Sequence, residues 1–315
     1  MFEVQEISRS QKGIIEQLGS KEKFWIDGDR WMYKVSRPGS GEHWAEKLGE
    51  SVCRVLGVPC ANYELARHEG QIGVISENIV PPGASLLLGN TAIQFLGNPR
   101  GAQRKFGSKL SSKLDIPRRG GAERKMPEWQ HTVATVFASI GPPVQTPLGF
   151  DCPDGISNAR DVFTGYLMLD CLIANQDRHE LNWALVLTED PGGLHLAPTF
   201  DHGAGFARQI TDAERESRLR TRDRGWEVEQ FAKRAKSGFC SKDNPHRALS
   251  SIDAFVEAMR ACPSAAKFWL ERLSSVDEIA LMSGLDQMPE FTMSDVAKEF
   301  TRALVCSNRR RLLAL

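Results

Sequence analysis

The sequence of 315 residues predicts an α+β fold with two lobes, a small antiparallel β lobe that carries one helix and a larger, mainly helical lobe. Over the first 80 residues, short apolar stretches alternate with turn residues, and one segment, 41–56, has the spacing of an amphipathic helix. From residue 209 onward, apolar residues recur at helical spacing, and several segments begin at a capping residue. We therefore expect the small lobe at residues 1–80 and the large lobe at residues 81–315.

The small lobe is expected to begin with a β-hairpin at residues 19–36. Asp27-Gly28-Asp29 supplies the turn between two apolar runs. Alternation along the second strand places Lys34 on the face opposite to Tyr33. The predicted helix and two further predicted strands follow at residues 41–56, 60–67 and 71–77.

The large lobe is predicted to contain a helix, a loop and a hairpin in succession. The apolar stripe of residues 158–174 predicts a helix that leads directly into Asp177. Two short apolar runs follow, separated by the turn residues Glu-Asp-Pro-Gly-Gly, so Asn182 begins one predicted strand and Asp201 follows its partner. Both side chains should then lie at the same end of a two-stranded ribbon. Other helices are predicted at residues 133–139, 211–222, 226–236, 251–260, 265–273, 275–283 and 294–313.

Two acidic motifs carry the chemistry of the sequence. Asp177 is followed five residues later by Asn182, and Asp201-His202-Gly203 begins 19 residues after Asn182. Kinases use this layout, in which one Asp handles the attacking hydroxyl while the Asn and the second Asp hold magnesium against the nucleotide phosphates. The motifs therefore indicate an ATP-dependent kinase.

A strand lysine and a row of helix glutamates precede these motifs. Lys34 is either an edge-strand lysine that reaches water or a lysine that grips phosphates. Glu42, Glu46 and Glu50 recur every four residues, either as a solvated face or as a source of the carboxylate that orients the lysine. A strand lysine followed by a glutamate helix is the order of a kinase small lobe.

Composition excludes several classes of function. The formal net charge is zero, which gives no support to binding of polyanions by the whole surface. The N-terminus lacks the layout of a signal peptide and no run reaches 18 apolar residues, so a cytoplasmic protein is predicted. Seven cysteines without a C-x-x-C, and three histidines without regular zinc spacing, argue against a disulfide framework and a zinc site.

Residues 97–127 are rich in glycine, proline and basic residues. This composition is typical of a flexible surface insertion, and a docking patch for an acidic or nucleic-acid-associated partner is the alternative. Gly107-Ser108-Lys109 lies at the wrong spacing and in the wrong order for a phosphate-binding P-loop.

With these features in place, the chain resembles the HipA-like serine/threonine kinases of bacteria and, more distantly, the phosphoinositide lipid kinases. The first motif of the resemblance reads NQDRHELNW at residues 175–183, and the second reads LAPTFDHG at residues 196–203. Gly19-Ser20-Lys21-Glu22-Lys23 looks like the phosphate loop of the family. Glu46 stands at the family's spacing from the turn at Leu56-Gly57.

The resemblance implies a role for each matching residue. Asp177 would accept or position the proton of the substrate hydroxyl, and Asn182 and Asp201 would hold Mg²⁺. Lys34, oriented by Glu46, would contact the α- and β-phosphates of ATP. The other cofactor-binding residues would cover the phosphates: Gly19, Ser20, Lys21 and Lys23. Residues 75–80 would form the hinge that binds adenine through its backbone.

The resemblance also implies partners. These are a protein substrate with a serine or threonine acceptor and a small antitoxin protein, with no membrane role and only an indirect one for nucleic acid. Some 18 residues precede Gly19, so the chain resembles the short, core-only members of the family. Residues 15–18 lack the serine whose autophosphorylation silences related toxins, so this route is not expected. A lipid or small-molecule kinase on the same fold, and a non-catalytic interaction module, remain as alternatives.

Overall fold

The structure, a computed structural model, describes residues 1–16, 22–96, 131–189, 193–244 and 246–315. Within these residues the chain has the predicted α+β architecture, with a mainly antiparallel five-stranded sheet followed by a larger helical region. The predicted phosphate-loop residues Gly19, Ser20 and Lys21 and the whole of the predicted insertion at 97–127 lie outside the described residues.

The five-stranded sheet forms the floor of the small lobe. Its strand order is β1-β4-β5-β3-β2, and every neighbouring pair is antiparallel except β1 with β4. The strands are β1 Val4–Ile7, β2 Lys23–Ile26, β3 Trp31–Val35, β4 Tyr63–His68 and β5 Gln71–Glu77. Strand β1 was not predicted, because its four residues include an exposed glutamate and glutamine and it pairs only along the edge of β4.

The two faces of this sheet differ, as the alternation of β3 predicts. Tyr33 packs with Phe24, Ile26 and Ile75 in a small apolar cluster on one face. Lys34 points to the other face, toward a cleft. Helix α1, Glu42–Leu56, ends at Gly57, whose positive φ of 71° is the left-handed conformation that favours glycine at a helix C-terminus.

A second sheet has three strands in the order β6-β7-β8. Strands β7 Ala184–Leu187 and β8 Leu194–Leu196 form the predicted hairpin. Strand β6, Ser85–Leu88, pairs antiparallel with β7 and leads into helix α2, Gly89–Leu96. Asn182 lies just before β7 and Asp201 lies shortly after β8, so this sheet positions both residues.

The larger region is built around helix α4, Ala159–Leu172, in which Ala159 and the eleven consecutive residues from Val162 to Leu172 are buried. The Asn158 side chain caps this helix by accepting bonds from the N–H groups of Arg160 and Asp161. The other helices are α3 Val133–Ser139, α5 Asp212–Arg220, α6 Val228–Arg234, α7 Ser251–Ala261, α8 Pro263–Ser275, α9 Glu278–Leu281, α10 Ser283–Asp286 and α11 Asp295–Leu312.

Two helices of this region differ from the sequence prediction. The predicted helix at 226–236 is shorter, because the chain turns at Ala235 into a hairpin, β9 Lys236–Cys240 and β10 Ala248–Ser250. The predicted helix at 275–283 is replaced by two one-turn helices, α9 and α10. In the described part of the chain, no helix is both long and apolar enough to cross a bilayer.

The small lobe is tied to the C-terminal helices by direct contacts. The Phe2 N–H donates to the Gln287 carbonyl at 2.7 Å, and Arg272 donates to the carbonyls of Val55 and Leu56 at 3.1 and 3.2 Å. Apolar residues of α1 belong to the same buried cluster as those of α4 and α8. These contacts fix α1 relative to α4 and to the loop that follows α4.

Candidate active site

A cleft of about 610 Å³ lies between the five-stranded sheet and the loops that follow α4 and β8. Lys34 and Glu46 line it from the small lobe, and Asp177, Asn182 and Asp201 line it from the other side. Five site residues predicted from separate parts of the sequence therefore share one cavity. Lys23 also lines this cleft.

The loop that carries Asp177 is held by a buried ion pair. The Arg178 guanidinium makes two hydrogen bonds to the Asp170 carboxylate, one of them at 2.8 Å, and donates a third to the Asn182 carbonyl at 3.0 Å. Asn175 donates to the same carboxylate at 2.9 Å. Burial lowers the pKa of Arg178, and pairing with Asp170 raises it by more. The net pKa is therefore above the usual value, and the guanidinium stays charged. Arg178 faces inward and holds the loop, while Asp177 faces the cleft.

Asp177 is well exposed, with 58% of its side chain accessible. His179 Nδ1 accepts a bond from the Leu181 N–H at 3.1 Å, so its proton is on Nε2, which lies 3.6 Å from Asp177 Oδ1. The Asn182 side-chain amide donates to the Asp177 carbonyl. That bond uses the nitrogen of the amide and leaves the oxygen as the group available to a ligand in the cleft.

Asp201 has a positive φ of 60°, a conformation that is uncommon outside glycine. Its N–H donates to the Tyr63 hydroxyl at 3.0 Å, and the next N–H, that of His202, donates to Glu46 Oε2 at 2.7 Å. His202 Nε2 pairs with Thr199 Oγ1 at 3.1 Å. Burial, with the positive charge of Arg178, lowers the pKa of His202 to about 3, so this imidazole is neutral. These bonds hold the strained turn in place.

Glu46 is the residue through which α1 reaches the second motif. Burial raises the pKa of Glu46 to about 8, with the charge of Asp201 adding to the effect and that of Lys34 opposing it. Two glycines allow the close approach: an added Cβ at Gly203 would lie 3.2 Å from Glu46 Oε1, and one at Gly49 would lie 2.6 Å from His202 Cβ. The helix and the D-x-G segment are therefore in direct contact.

Two lysines lie side by side on neighbouring strands of the five-stranded sheet. Lys23 on β2 is the direct cross-strand partner of Lys34 on β3, and both line the cleft. The Lys34 ammonium lies 5.6 Å from the centre of the Tyr63 ring. Like charges directly opposite on neighbouring strands are unfavourable. Both lysines therefore belong to the same wall of the cleft.

The other glutamates of α1 have different roles. Glu50 is buried and pairs with Lys47 at 2.8 Å and with Arg54 at 2.6 Å, on the side of the helix away from the cleft. Glu42 lines the cleft and contacts Arg37 and Arg208. Of these three glutamates, Glu46 is the one whose carboxylate accepts a hydrogen bond from the second motif, and its pairing with Lys34 stays a prediction.

Sequence reasoning did not identify Tyr63, Asp170 and the pair Arg37 and Arg208. Tyr63 has no motif around it and reaches Asp201 only because β4 packs below the second motif. A sequence signal did exist for Asp170, because it is the one charged residue between positions 162 and 174, the apolar stretch that precedes Asp177.

The oxygen donors of the cleft fit a magnesium ion. Asn182 and Asp201 offer an amide oxygen and a carboxylate, and magnesium in proteins is bound by one or two such groups together with phosphate oxygens and water. The described residues contain no cluster of three or more histidine, cysteine or acidic side chains able to hold a metal by themselves. Asn182 and Asp201 would therefore leave the other ligand positions of a magnesium ion to phosphate oxygens or water.

Comparisons with known proteins give matches among solved structures. No family model and no curated protein matches the chain. The crystal structure of the Helicobacter pylori proinflammatory kinase CtkA matches with a TM-score of 0.69 and 17% identity, covering 99% of this chain and 96% of that chain. The HipA toxin of Shewanella oneidensis MR-1, in a complex with HipB and operator DNA, matches with a TM-score of 0.49 and 11% identity, over 96% of this chain and 62% of that chain. The Golgi casein kinase matches with a TM-score of 0.43 and 13% identity, over 100% and 74%.

The class of protein follows from the fold. The chain has a kinase-like α+β fold, because the similarity to CtkA extends over nearly the whole of both chains. The kinase fold that the sequence resemblance implies is therefore confirmed at the level of the fold.

Proposed function

We propose that this protein is an ATP- and magnesium-dependent serine/threonine protein kinase. The observation that carries the proposal is the meeting of Lys34, Glu46, Asp177, Asn182 and Asp201 in one cleft. Phosphoryl transfer needs a cation for the phosphates, oxygen donors for a metal and a carboxylate for the acceptor hydroxyl. The residues that line the cleft include each of these kinds of group.

The nucleotide base would lie against the segment that joins β5 to β6. Residues 76–80 line the cleft. The N–H groups of Glu77, Asn78 and Val80 already donate within the protein, to Asn62, Arg30 and the Asn78 side chain. In the described chain this leaves the N–H of Ile79 as the donor in residues 77–80 for a base acceptor. Trp25, Met32 and Leu88 supply apolar surface for the base.

The phosphates would lie between the two lysines and the second motif. Lys34 and Lys23 would contact the phosphate oxygens, and Asn182 and Asp201 would hold the magnesium ion. Magnesium, when bound, neutralises charge that develops on the phosphates during transfer. The Glu46 carboxylate, through the His202 N–H, keeps the Asp201 turn oriented toward the cleft.

The acceptor hydroxyl would approach Asp177. Because more than half of this side chain is exposed, a hydroxyl on the surface of another protein can reach it. Asp177 would orient the hydroxyl and accept its proton as the oxygen attacks the γ-phosphate, with His179 Nε2 3.6 Å from the carboxylate.

Two partner predictions extend the proposal. A protein substrate with a serine or threonine acceptor follows from the exposed Asp177, and the small antitoxin partner rests on the resemblance to HipA-like kinases alone.

The alternative lipid kinase is less favoured, because residues 203–210 contain a single basic residue, Arg208, and lipid kinases use a basic segment there for the head group. A non-catalytic interaction module is disfavoured because all five predicted catalytic and nucleotide-binding residues line the cleft: Lys34, Glu46, Asp177, Asn182 and Asp201.

The test is transfer of radiolabelled phosphate from γ-labelled ATP. Purified protein, magnesium, a pool of serine and threonine peptides and, separately, vesicles of anionic phospholipid would be incubated and the labelled products separated. We expect label on peptide serine or threonine, on the protein itself, or on both, and none with Asp201→Asn. Label on lipid alone, or labelling that survives Asp201→Asn, would overturn the proposal.

A further inference from the structure

Tyr63, the first residue of β4, is fully buried where the small lobe meets the turn that carries Asp201. Its hydroxyl accepts the Asp201 N–H at 3.0 Å, and its ring lies edge-on to the His202 imidazole, with the ring centres 6.4 Å apart. The Lys34 ammonium lies 5.6 Å from the centre of the same ring. One side chain therefore contacts both the lysine and the D-x-G segment that the proposed function assigns to the nucleotide.

The chain around Tyr63 is bonded to the segment that leads into the second motif. Thr199 pairs with the residues that precede β4: its N–H donates to the Pro59 carbonyl and its carbonyl accepts the Ala61 N–H, each at 2.9 Å. From α1, the Lys47 ammonium donates to the Tyr63 carbonyl at 2.5 Å. Tyr63 is thus held between α1 and the second motif.

Two consecutive N–H groups of the second motif are bound by two different elements of the small lobe. The Asp201 N–H donates to Tyr63 of β4, and the His202 N–H donates to Glu46 of α1. Between these bonds Asp201 has its positive φ of 60°, a conformation that costs free energy outside glycine and persists where the surroundings enforce it. The hydroxyl of Tyr63 therefore helps to set the direction of the Asp201 carboxylate.

The ring of Tyr63 makes a separate contact. An ammonium within about 6 Å of the centre of an aromatic ring is attracted to the ring face, most strongly where water is excluded. Lys34 meets this distance, and both residues line the cleft. Phenylalanine at position 63 would keep the ring and lose the hydroxyl, whereas leucine would lose both. The two contacts can therefore be separated by substitution.

We propose that Tyr63 is a positioning residue for the nucleotide and its metal: its hydroxyl orients Asp201 toward magnesium, and its ring orients Lys34 toward the phosphates. The proposal rests on the proposed kinase function, which assigns magnesium to Asp201 and phosphate to Lys34. It adds a residue that stands in neither sequence motif and acts through these two side chains.

The test measures the Kd for a non-hydrolysable ATP analogue by calorimetry, once in excess EDTA and once in excess magnesium. The proteins are the wild type, Tyr63→Phe and Tyr63→Leu, with Tyr33→Phe as the matched control. Tyr33 is also buried, and its hydroxyl donates to the Gln71 carbonyl at 2.8 Å, but it packs in the apolar cluster on the other face of the sheet and does not line the cleft. Urea unfolding is measured on the same preparations.

We expect Tyr63→Phe to leave the Kd in EDTA unchanged and to raise the Kd in magnesium roughly three- to tenfold, the usual contribution of one hydrogen bond. Tyr63→Leu should raise the Kd in EDTA as well, by about two- to tenfold, because Lys34 loses the ring. Tyr33→Phe should leave both Kd values unchanged, although the two phenylalanine variants should lose similar amounts of stability in urea.

The same Kd in magnesium for the wild type and Tyr63→Phe overturns the role of the hydroxyl, and so does an equal rise in Tyr33→Phe. An unchanged Kd in EDTA for Tyr63→Leu overturns the role of the ring. If the wild type binds the analogue in neither condition, the proposed kinase function fails, and the role of Tyr63 toward magnesium fails with it. Hydrogen exchange of the ligand-free protein then decides whether Tyr63 holds the turn: faster exchange of the Asp201 amide in Tyr63→Phe than in Tyr33→Phe supports this, and equal rates overturn it.

Discussion

The buried pair between Asp170 and Arg178 gives the most direct prediction about how the catalytic loop is held. Arg178 is 2% exposed in its side chain and Asp170 is 5% exposed, and the pair joins helix α4 to the loop that carries Asp177. We consider Asp170→Asn, which keeps the shape of the side chain and removes its charge. The guanidinium would then remain charged and buried without its counterion.

The size of the effect follows from this burial. Removing one partner of a buried ion pair costs about 3–5 kcal/mol, whereas the exposed pairs of a protein surface contribute about 0–1 kcal/mol. The asparagine oxygen can still accept one of the bonds from Arg178, which favours the lower end, about 3 kcal/mol. With an unfolding entropy of about 2.1 cal/mol/K per residue, the melting temperature of a 315-residue chain should fall by roughly 4–5 °C.

The assay is urea unfolding at 25 °C, with Asp286→Asn as the matched control. Asp286 pairs with Arg302 at 3.1 Å, and both side chains are exposed, 67% and 42%. The control should lose less than about 1 kcal/mol. Equal losses of unfolding free energy in Asp170→Asn and Asp286→Asn would refute the reasoning, since burial would then make no difference to the pair.

Three other predictions concern the contacts of the site. Gly49→Ala, which on an exposed helix would stabilise by about 1 kcal/mol, should destabilise here by about 1–3 kcal/mol in urea, because its methyl group meets His202; an unchanged midpoint would contradict this packing. Glu46 binds its proton more tightly when folded, so between its unfolded pKa of 4.5 and its folded pKa of about 8 the wild type should lose stability as pH rises, by on the order of 5 kcal/mol relative to Glu46→Gln. Parallel pH profiles of unfolding free energy for the two proteins would contradict that assignment. Lys34→Met should abolish most of the rise in melting temperature that ATP with magnesium produces in the wild type, and an equal rise in both would remove Lys34 from the phosphate site.

The fold was largely predictable where a local pattern carries it. The alternation of β3 and the glycine stop after α1 are local, and the structure has both elements. Strand β1 was missed because it is short and pairs with β4, which is distant in sequence, and the hairpin of β9 and β10 was missed because β10 has only three residues and the register shifts along the pair. Propensity and periodicity contain no information about such pairing.

The site was predictable to the extent that its residues stand in motifs. The spacing of Asp177, Asn182 and Asp201 was enough to predict that they line one cleft, because the helix, loop and hairpin that carry them allow few arrangements. Contacts across lobes were not predictable: the bond of Tyr63 to Asp201 joins residues 138 apart. The contact of Glu42 with Arg208 likewise depends on how α1 packs against the segment after Asp201.

The central claim is that Asp201 acts on the nucleotide while Asp177 acts on the acceptor, and one paired measurement separates these roles. The rise in melting temperature with ATP and magnesium, and the transfer of labelled phosphate to peptide, would be measured on the same preparations of wild type, Asp177→Ala and Asp201→Ala. We expect Asp201→Ala to lose both, and Asp177→Ala to keep the thermal shift and lose transfer. Full transfer by Asp177→Ala, or an unchanged thermal shift in Asp201→Ala, would contradict the account.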